Sequence, residues 1–192
     1  MRDPRSARFY PPREDSALLE PFARVPPGRT LLDIGTGSGV LGLAAARAGV
    51  RVVATDVNPH ALRHVAGLAR AQGLAIDLVR TDLARGLGRF DRIVANPPYL
   101  PTTAGGRDPD PWHDRALNGG PDGLAVSARL LDALPDHLAP GGAGFVVVST
   151  VQDPGALERL RLRWIERGGD QRTVATRSLE GERLDVWELT VD

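Results

Sequence analysis

Asp33-Ile34-Gly35-Thr36-Gly37-Ser38-Gly39 joins the short apolar run Thr30 to Ile34 to the helix-like stretch Val40 to Ala48. A run that short cannot be a buried helix and reads as a strand covered on both faces. The glycines therefore stand at a strand-to-helix turn, the place where open parallel sheets bind nucleotides. Glycine permits the tight turn and lets a ligand approach the backbone, while the free amides of the helix start can receive a carboxylate. Asp33, Gly35, Thr36, Gly37 and Gly39 are the first candidate cofactor residues.

Outward from this loop the alternation continues. Runs rich in Val, Ile and Leu at Arg51 to Thr55, Ala75 to Val79, Arg92 to Ala95 and Gly144 to Ser149 are expected strands. Pro59 to Gln72, Gly123 to Leu138 and Pro154 to Arg167 are expected helices. Asn58-Pro59 and Asp153-Pro154 each supply a cap followed by proline in the first turn. Gln171 to Arg177 and Arg183 to Val191 follow without a helix between them and read as a closing antiparallel hairpin around Glu180-Gly181, its loop longer than the tightest hairpin turns. The expected fold is α/β and Rossmann-like: a mostly parallel seven-stranded sheet with a C-terminal antiparallel hairpin and helices on both faces. The Gly- and Pro-rich segment Leu100 to Asp122 is expected to be a long loop serving a site, with Trp112 and His113 as candidates for touching substrate.

The chain has 192 residues, of which 42% are hydrophobic. With no shift of composition in mid-chain, residues 1–192 are read as one domain. All 24 basic residues are Arg and equal the 24 acidic ones, so no net field draws the chain to nucleic acid or membrane. The lack of Lys excludes Schiff-base enzymes and Walker-type phosphate loops, and the lack of Cys removes disulfides, thiolate metal sites and a thiol nucleophile. His60, His64, His113 and His137 show no compact metal spacing, so no metal is expected. There is no bilayer-length apolar run and no secretory signal at the start, which predicts a cytoplasmic protein.

Asp56, with Val57 beside it, closes the second strand, where its carboxylate can accept both hydrogen bonds of a ribose diol. Asp82, followed by Leu83, stands after the third strand and can accept a bond from an adenine amino group or act as a plain turn aspartate. Gly37, Gly39 and Gly42 also satisfy G-x-G-x-x-G, with Asp56 roughly 20 residues on. A nicotinamide-dependent oxidoreductase is therefore open for this segment taken alone.

Asn96-Pro97-Pro98-Tyr99 follows the fourth strand at the same carboxyl edge of the sheet. Two prolines fix the backbone and remove two amide donors, leaving a rigid loop of acceptors. The two hydrogens of a planar NH2 group suit the Asn96 side-chain oxygen and the Pro97 carbonyl, and accepting both raises electron density on an otherwise poor nucleophile. Tyr99 can wall the pocket. An ordinary strand-ending turn would also read Asn-Pro-Pro. The order of cofactor loop, acidic strand end and tetrad favours catalysis, with Asn96, Pro97, Pro98 and Tyr99 as the candidate residues and Asn96 also near the cofactor.

These segments together resemble the class I S-adenosylmethionine (SAM)-dependent methyltransferases, and within them the HemK/PrmC family of release-factor glutamine methyltransferases. The likeness rests on Asp33 to Gly39, Thr55 to Pro59, Asn96 to Tyr99, and Leu117 to Leu124, which is similar to that family's "GG-x-DG" segment. Tyr10 to Ser16 is similar to the family's pre-domain motif, which lies over the cofactor. The resemblance implies SAM as cofactor, residues 1–28 as an N-terminal lid or pre-domain segment, and Asp15 and Ser16 as cofactor residues; taken alone, either of these two would pass for a helix cap. It implies methylation of a glutamine side-chain amide in a Gly-Gly-Gln loop of a release factor. Bacterial members carry an N-terminal helical domain, whereas this chain has some 30 residues before its first strand and looks more like the short archaeal and eukaryotic members, some of which need a small activating partner protein. The tetrad also occurs in RNA and DNA methyltransferases, and a small-molecule amine would suit the same clamp. Balanced charge makes nucleic acid the less expected substrate.

Overall fold

The computed structural model describes residues 9–102 and 108–191. Residues 1–8 of the expected N-terminal segment, 103–107 of the expected loop, and 192 lie outside the described residues. In chain order the elements are α1 (Glu14–Ala23), β1 (Thr30–Ile34), α2 (Val40–Arg47), β2 (Arg51–Asp56), α3 (Pro59–Ala71), β3 (Asp77–Arg80), β4 (Phe90–Ala95), α4 (Pro111–Leu117), α5 (Ala125–His137), β5 (Leu138–Ser149), α6 (Pro154–Glu166), β6 (Gly169–Leu179) and β7 (Glu182–Val191).

The strands form one seven-stranded sheet in the order β3-β2-β1-β4-β5-β7-β6. The first five are parallel and β7 runs antiparallel to both β5 and β6. From β1 the chain builds outward through β2 and β3 on one side, then returns to lay β4 and β5 on the other. Strand order reverses between β1 and β4, so a crevice opens beyond their carboxyl ends.

Alternation along β1 explains the two-sided burial. Leu32 and Ile34 join Leu130 and Leu134 of α5 and Leu160 and Trp164 of α6 on one face, while Leu31 joins Leu19 of α1 and Leu41 and Ala45 of α2 on the other. Asn58 caps α3 by accepting from the His60 amide at 2.9 Å, and Asp153 caps α6 by accepting from Ala156 at 2.6 Å.

Four sequence-based expectations need correction. Leu179 pairs with Glu182 and Gly181 has φ +74°, so the β6–β7 hairpin turns through two residues only. Strand β5 begins at Leu138 rather than Gly144, with an irregularity against β4 between the pairs Phe90–Leu138 and Arg92–Ala143. The 100–122 segment carries the helix α4, capped by Asp110 with Pro111 in its first turn. Finally, α1 has Arg13 at its N-cap with no side-chain cap bond, and Asp15 and Ser16 lie buried inside its first turn.

Candidate active site

The crevice at the switch point is a cleft of about 310 Å³. Every sequence-predicted cofactor and catalytic residue lines it except Gly39: Asp15 and Ser16 from α1; Asp33, Gly35, Thr36 and Gly37 after β1; Asp56 and Val57 after β2; Asp82 and Leu83 after β3; Asn96 to Tyr99 after β4. Gly39 sits behind the loop. Its φ is +80°, and a Cβ there would fall 2.6 Å from a methyl of Val65 on α3, so glycine lets α3 pack against the turn.

On the β1–β2 side the chain's own donors hold the carboxylates. Asp33, 1% exposed, accepts from the Thr36 hydroxyl at 2.7 Å and the Gly42 amide at 3.0 Å. Burial pushes its carboxyl up to about 6, opposed by those two bonds. Asp56 accepts from the Gly37 amide at 3.0 Å and the Asn58 amide at 2.8 Å. Burial raises its pKa as well, and the same amides oppose the rise. The glycine turn is thus laced to both strand ends before any ligand is considered. Leu83 has φ +54°, a left-handed conformation costing about 1 kcal/mol or more for a non-glycine residue, and the Thr55 hydroxyl holds its carbonyl at 2.9 Å.

On the β4 side the arrangement differs. The Asn96 side-chain oxygen is buried and has no hydrogen-bond partner among the described residues. Behind the tetrad, the Asn118–Gly123 turn presses on its backbone. A Cβ on Gly119 would lie 2.8 Å from the Pro98 carbonyl oxygen, and one on Gly123, at φ +77°, would lie 2.4 Å from that of Tyr99. Leu100 donates to the Leu117 carbonyl at 3.1 Å and accepts from the Gly119 amide at 2.9 Å, fixing tetrad and turn together. The buried Gln152 side chain donates to the Gly123 carbonyl at 2.8 Å.

Asp15, 2% exposed, bridges the N-terminal segment to the tetrad: one carboxylate oxygen accepts from the Tyr10 hydroxyl at 3.2 Å and the Tyr99 hydroxyl at 3.3 Å. Its other oxygen takes the Ser16 amide at 2.6 Å and the Ser16 hydroxyl at 3.2 Å. Burial first, then the Asp15 charge, raises both phenols well above the usual tyrosine range. At the mouth, Asp82 is paired with the Arg129 guanidinium, both about half exposed. Trp112 of α4 lines the cleft and meets His60 edge-on. His113 does not line it and is held by Asp108 at 2.6 Å.

Sequence reading missed Phe9, Arg13, Arg115, Arg129 and Glu182, which also line the cleft. Glu182, on the far hairpin, accepts from the Ser149 hydroxyl at 2.5 Å. Nothing local marks it, because it arrives only through the pairing of β7 beside β5. Among the described residues no group of three or more His, Cys, Asp or Glu is arranged to hold a metal ion, and no helix is long and apolar enough to cross a membrane.

Chemically, the cleft offers a glycine turn with fixed acidic acceptors on one side and an unmatched amide oxygen on the other. That suits a nucleoside-bearing cofactor beside a group that donates N–H.

A family model described as Methyltransferase small domain matches residues 15–106. A Methanocaldococcus jannaschii protein whose name places it with the N5-glutamine methyltransferases is 33% identical over 144 residues, spanning 74% of this chain and 73% of that one. The release factor glutamine methyltransferase of Deinococcus radiodurans is 41% identical over 166 residues, or 81% of this chain and 59% of that protein. The corresponding protein of Geobacter sulfurreducens is covered to 63% at 32% identity, so the chain spans about six-tenths of these bacterial relatives. Among solved structures, the E. cuniculi Mtq2–Trm112 complex, described as responsible for methylation of the eRF1 translation termination factor, contains a chain that superposes with a TM-score of 0.73 at 27% identity, covering 96% of this chain and 99% of that one.

Proposed function

We propose that this chain, which belongs to the protein glutamine N5-methyltransferase family within the class I SAM-dependent methyltransferases, methylates the side-chain amide of a glutamine in a Gly-Gly-Gln loop of a translation release factor, forming N5-methylglutamine. The observation that carries this reading is the buried, unpartnered oxygen of Asn96 in the cleft. A buried acceptor with no partner costs about 1–3 kcal/mol. An incoming NH2 group that donates to it recovers that cost, so the site favours a ligand with a hydrogen to give.

SAM, bound in the cleft, supplies a methyl group on a positively charged sulfur. The residues present fit it: the Gly35–Gly39 turn for close backbone approach, and Asp56 with free lone pairs for the ribose diol. Asp82 is already neutralised by Arg129, which makes it a weaker acceptor for adenine than its position alone suggests. Asn96 and the Pro97 carbonyl hold the two amide hydrogens and aim the nitrogen lone pair into the cleft. Pro97 and Pro98 keep those acceptors rigid, and Tyr99 walls the pocket. Transfer is a direct displacement, so positioning supplies much of the acceleration, with an upper range of roughly 7–11 kcal/mol for such effects.

On this reading residues 1–192 act as one methyltransferase unit, with residues 1–28 serving as the lid or pre-domain segment, and they work in the cytoplasm on a protein substrate. The Mtq2–Trm112 neighbour supports a small activating partner protein. The test is mass spectrometry of a release-factor domain incubated with labelled SAM. The Gly-Gly-Gln form should gain one methyl on the glutamine nitrogen, and a Gly-Gly-Glu form should gain none. Methyl appearing only on nucleic acid or a free amine would overturn the substrate and leave the cofactor standing.

A further inference from the structure

Five carboxylates line the cleft, and four are committed elsewhere: Asp33 and Asp56 to backbone and hydroxyl donors of the glycine turn, Asp82 to Arg129, Glu182 to Ser149. Asp15 alone is bonded to the tetrad. It is almost wholly buried, and its hydrogen-bond partners, Ser16, Tyr10 and Tyr99, are all neutral. No guanidinium among the described residues is paired with it. Arg13, two residues away in sequence, lies over the Tyr10 ring, 5.6 Å from its centroid.

A buried carboxylate held only by neutral hydroxyls and one backbone amide is poised to interact favourably with a cation that enters the cleft. Resting on the SAM reading above, we propose that Asp15 is the counter-charge of the sulfonium and makes this cleft favour the charged methyl donor over its demethylated product. During transfer the carbon–sulfur bond breaks with its electron pair left on sulfur, the nitrogen lone pair forms the new carbon–nitrogen bond, and the nitrogen loses one proton to water. The sulfur is therefore positive before transfer and neutral after it. Asp15 attracts the first state and has no charge to attract in the second, so the product is held less firmly and leaves.

Calorimetry on the full chain separates the charge from the hydrogen bonds. The probes are SAM, S-adenosylhomocysteine, and sinefungin, which carries an amine cation in place of the methylated sulfur. Asp15→Asn should weaken SAM and sinefungin about tenfold, equivalent to about 1.4 kcal/mol, while changing S-adenosylhomocysteine by less than about twofold. Tyr10→Phe, which removes one bond and keeps the charge, should leave the SAM-to-S-adenosylhomocysteine ratio at the parent value. Asp15→Ser is the second neutral variant should the asparagine fail to fold. Equal weakening of all three ligands would overturn the proposal and make Asp15 a strut between Tyr10 and Tyr99. A parent protein that binds none of the three would instead overturn the SAM reading, and this proposal with it.

Discussion

On the β1–β2 side of the switch point the carboxylates of Asp33 and Asp56 are held by the chain's own amides and hydroxyl, whereas on the β4 side Asn96 keeps a buried oxygen with no partner among the described residues. The first side is a cradle whose shape is set by internal bonds and persists without a guest. The second holds an acceptor that, on the proposed reading, a guest with a hydrogen to give would satisfy. On the proposed reading, shape recognition falls to one half of the cleft and hydrogen-donor recognition to the other. Substitutions on the two sides should differ in which measurement they move.

Asn96→Ala should be the most damaging to catalysis, lowering single-turnover methylation on the order of a hundredfold to a thousandfold, or about 2.7–4 kcal/mol. Its SAM affinity should stay within about threefold. Because the deleted oxygen has no partner among the described residues, Tm should stay within about 2 °C of the parent. A rate within about threefold of the parent would reduce Asn96 to a turn residue and dissolve the contrast.

Gly123→Ala attacks the tetrad from behind, where a Cβ has no room beside the Tyr99 carbonyl and φ is +77°. It should lower Tm by roughly 6–12 °C, corresponding to about 2–4 kcal/mol. Asp56→Ala should weaken SAM about tenfold to a hundredfold, or roughly 1.5–3 kcal/mol, with nearer-normal turnover once SAM is saturating. That is the reverse of the Asn96 profile, and finding both variants alike would break the division of labour.

Asp33 adds a pH signature. Its folded carboxyl is held at about 6, above the unfolded value of roughly 3.9, so the native state binds the proton more tightly. Asp33's contribution to stability is therefore greatest below about pH 4 and is lost as pH rises to about 6. The difference in unfolding free energy between the parent and Asp33→Asn, followed by denaturation across that window, should change by roughly 2 kcal/mol. The smallest effect belongs to the mouth. Arg129→Ala removes a half-exposed ion pair and should change stability by less than about 1 kcal/mol and SAM affinity by less than about threefold.

The placement of both halves of the cleft is legible in the sequence; their internal bonding is not. The glycine turn, the acidic strand end and the tetrad each follow a strand, and parallel strands deliver their carboxyl ends to one edge regardless of detail. Helix α4 was hidden because seven residues give too little periodicity to rise above their Gly- and Pro-rich surroundings, although Asp110-Pro111 repeats the device seen at Asn58-Pro59. Taken by residue type alone, Asp15 and Ser16 pass for caps, although the resemblance marks them as cofactor residues. The structure instead spends Asp15 on two tyrosines, one of them 84 residues away, and only tertiary packing reveals such a bond. Glu182 and Arg129 reach the cleft in the same way, through topology. The tight β6–β7 turn was missed because its strands run on past their apolar cores to Leu179 and Glu182.

Strand β7 follows every other strand of the sheet in sequence and yet lies inside it, between β5 and β6, with Leu184, Val186 and Leu189 almost fully buried. During synthesis the apolar edge of β5 therefore waits bare until Glu182–Val191 has left the ribosome, and β6 has no other strand to pair with. Sheet closure in this third of the molecule is a late, non-local event of high contact order, the kind that slows folding and leaves a nascent chain open to aggregation. Loss of Glu182–Val191 should cost the sheet both outer strands at once and take Glu182 from the cleft, so the removal of this one strand undoes far more than its own length.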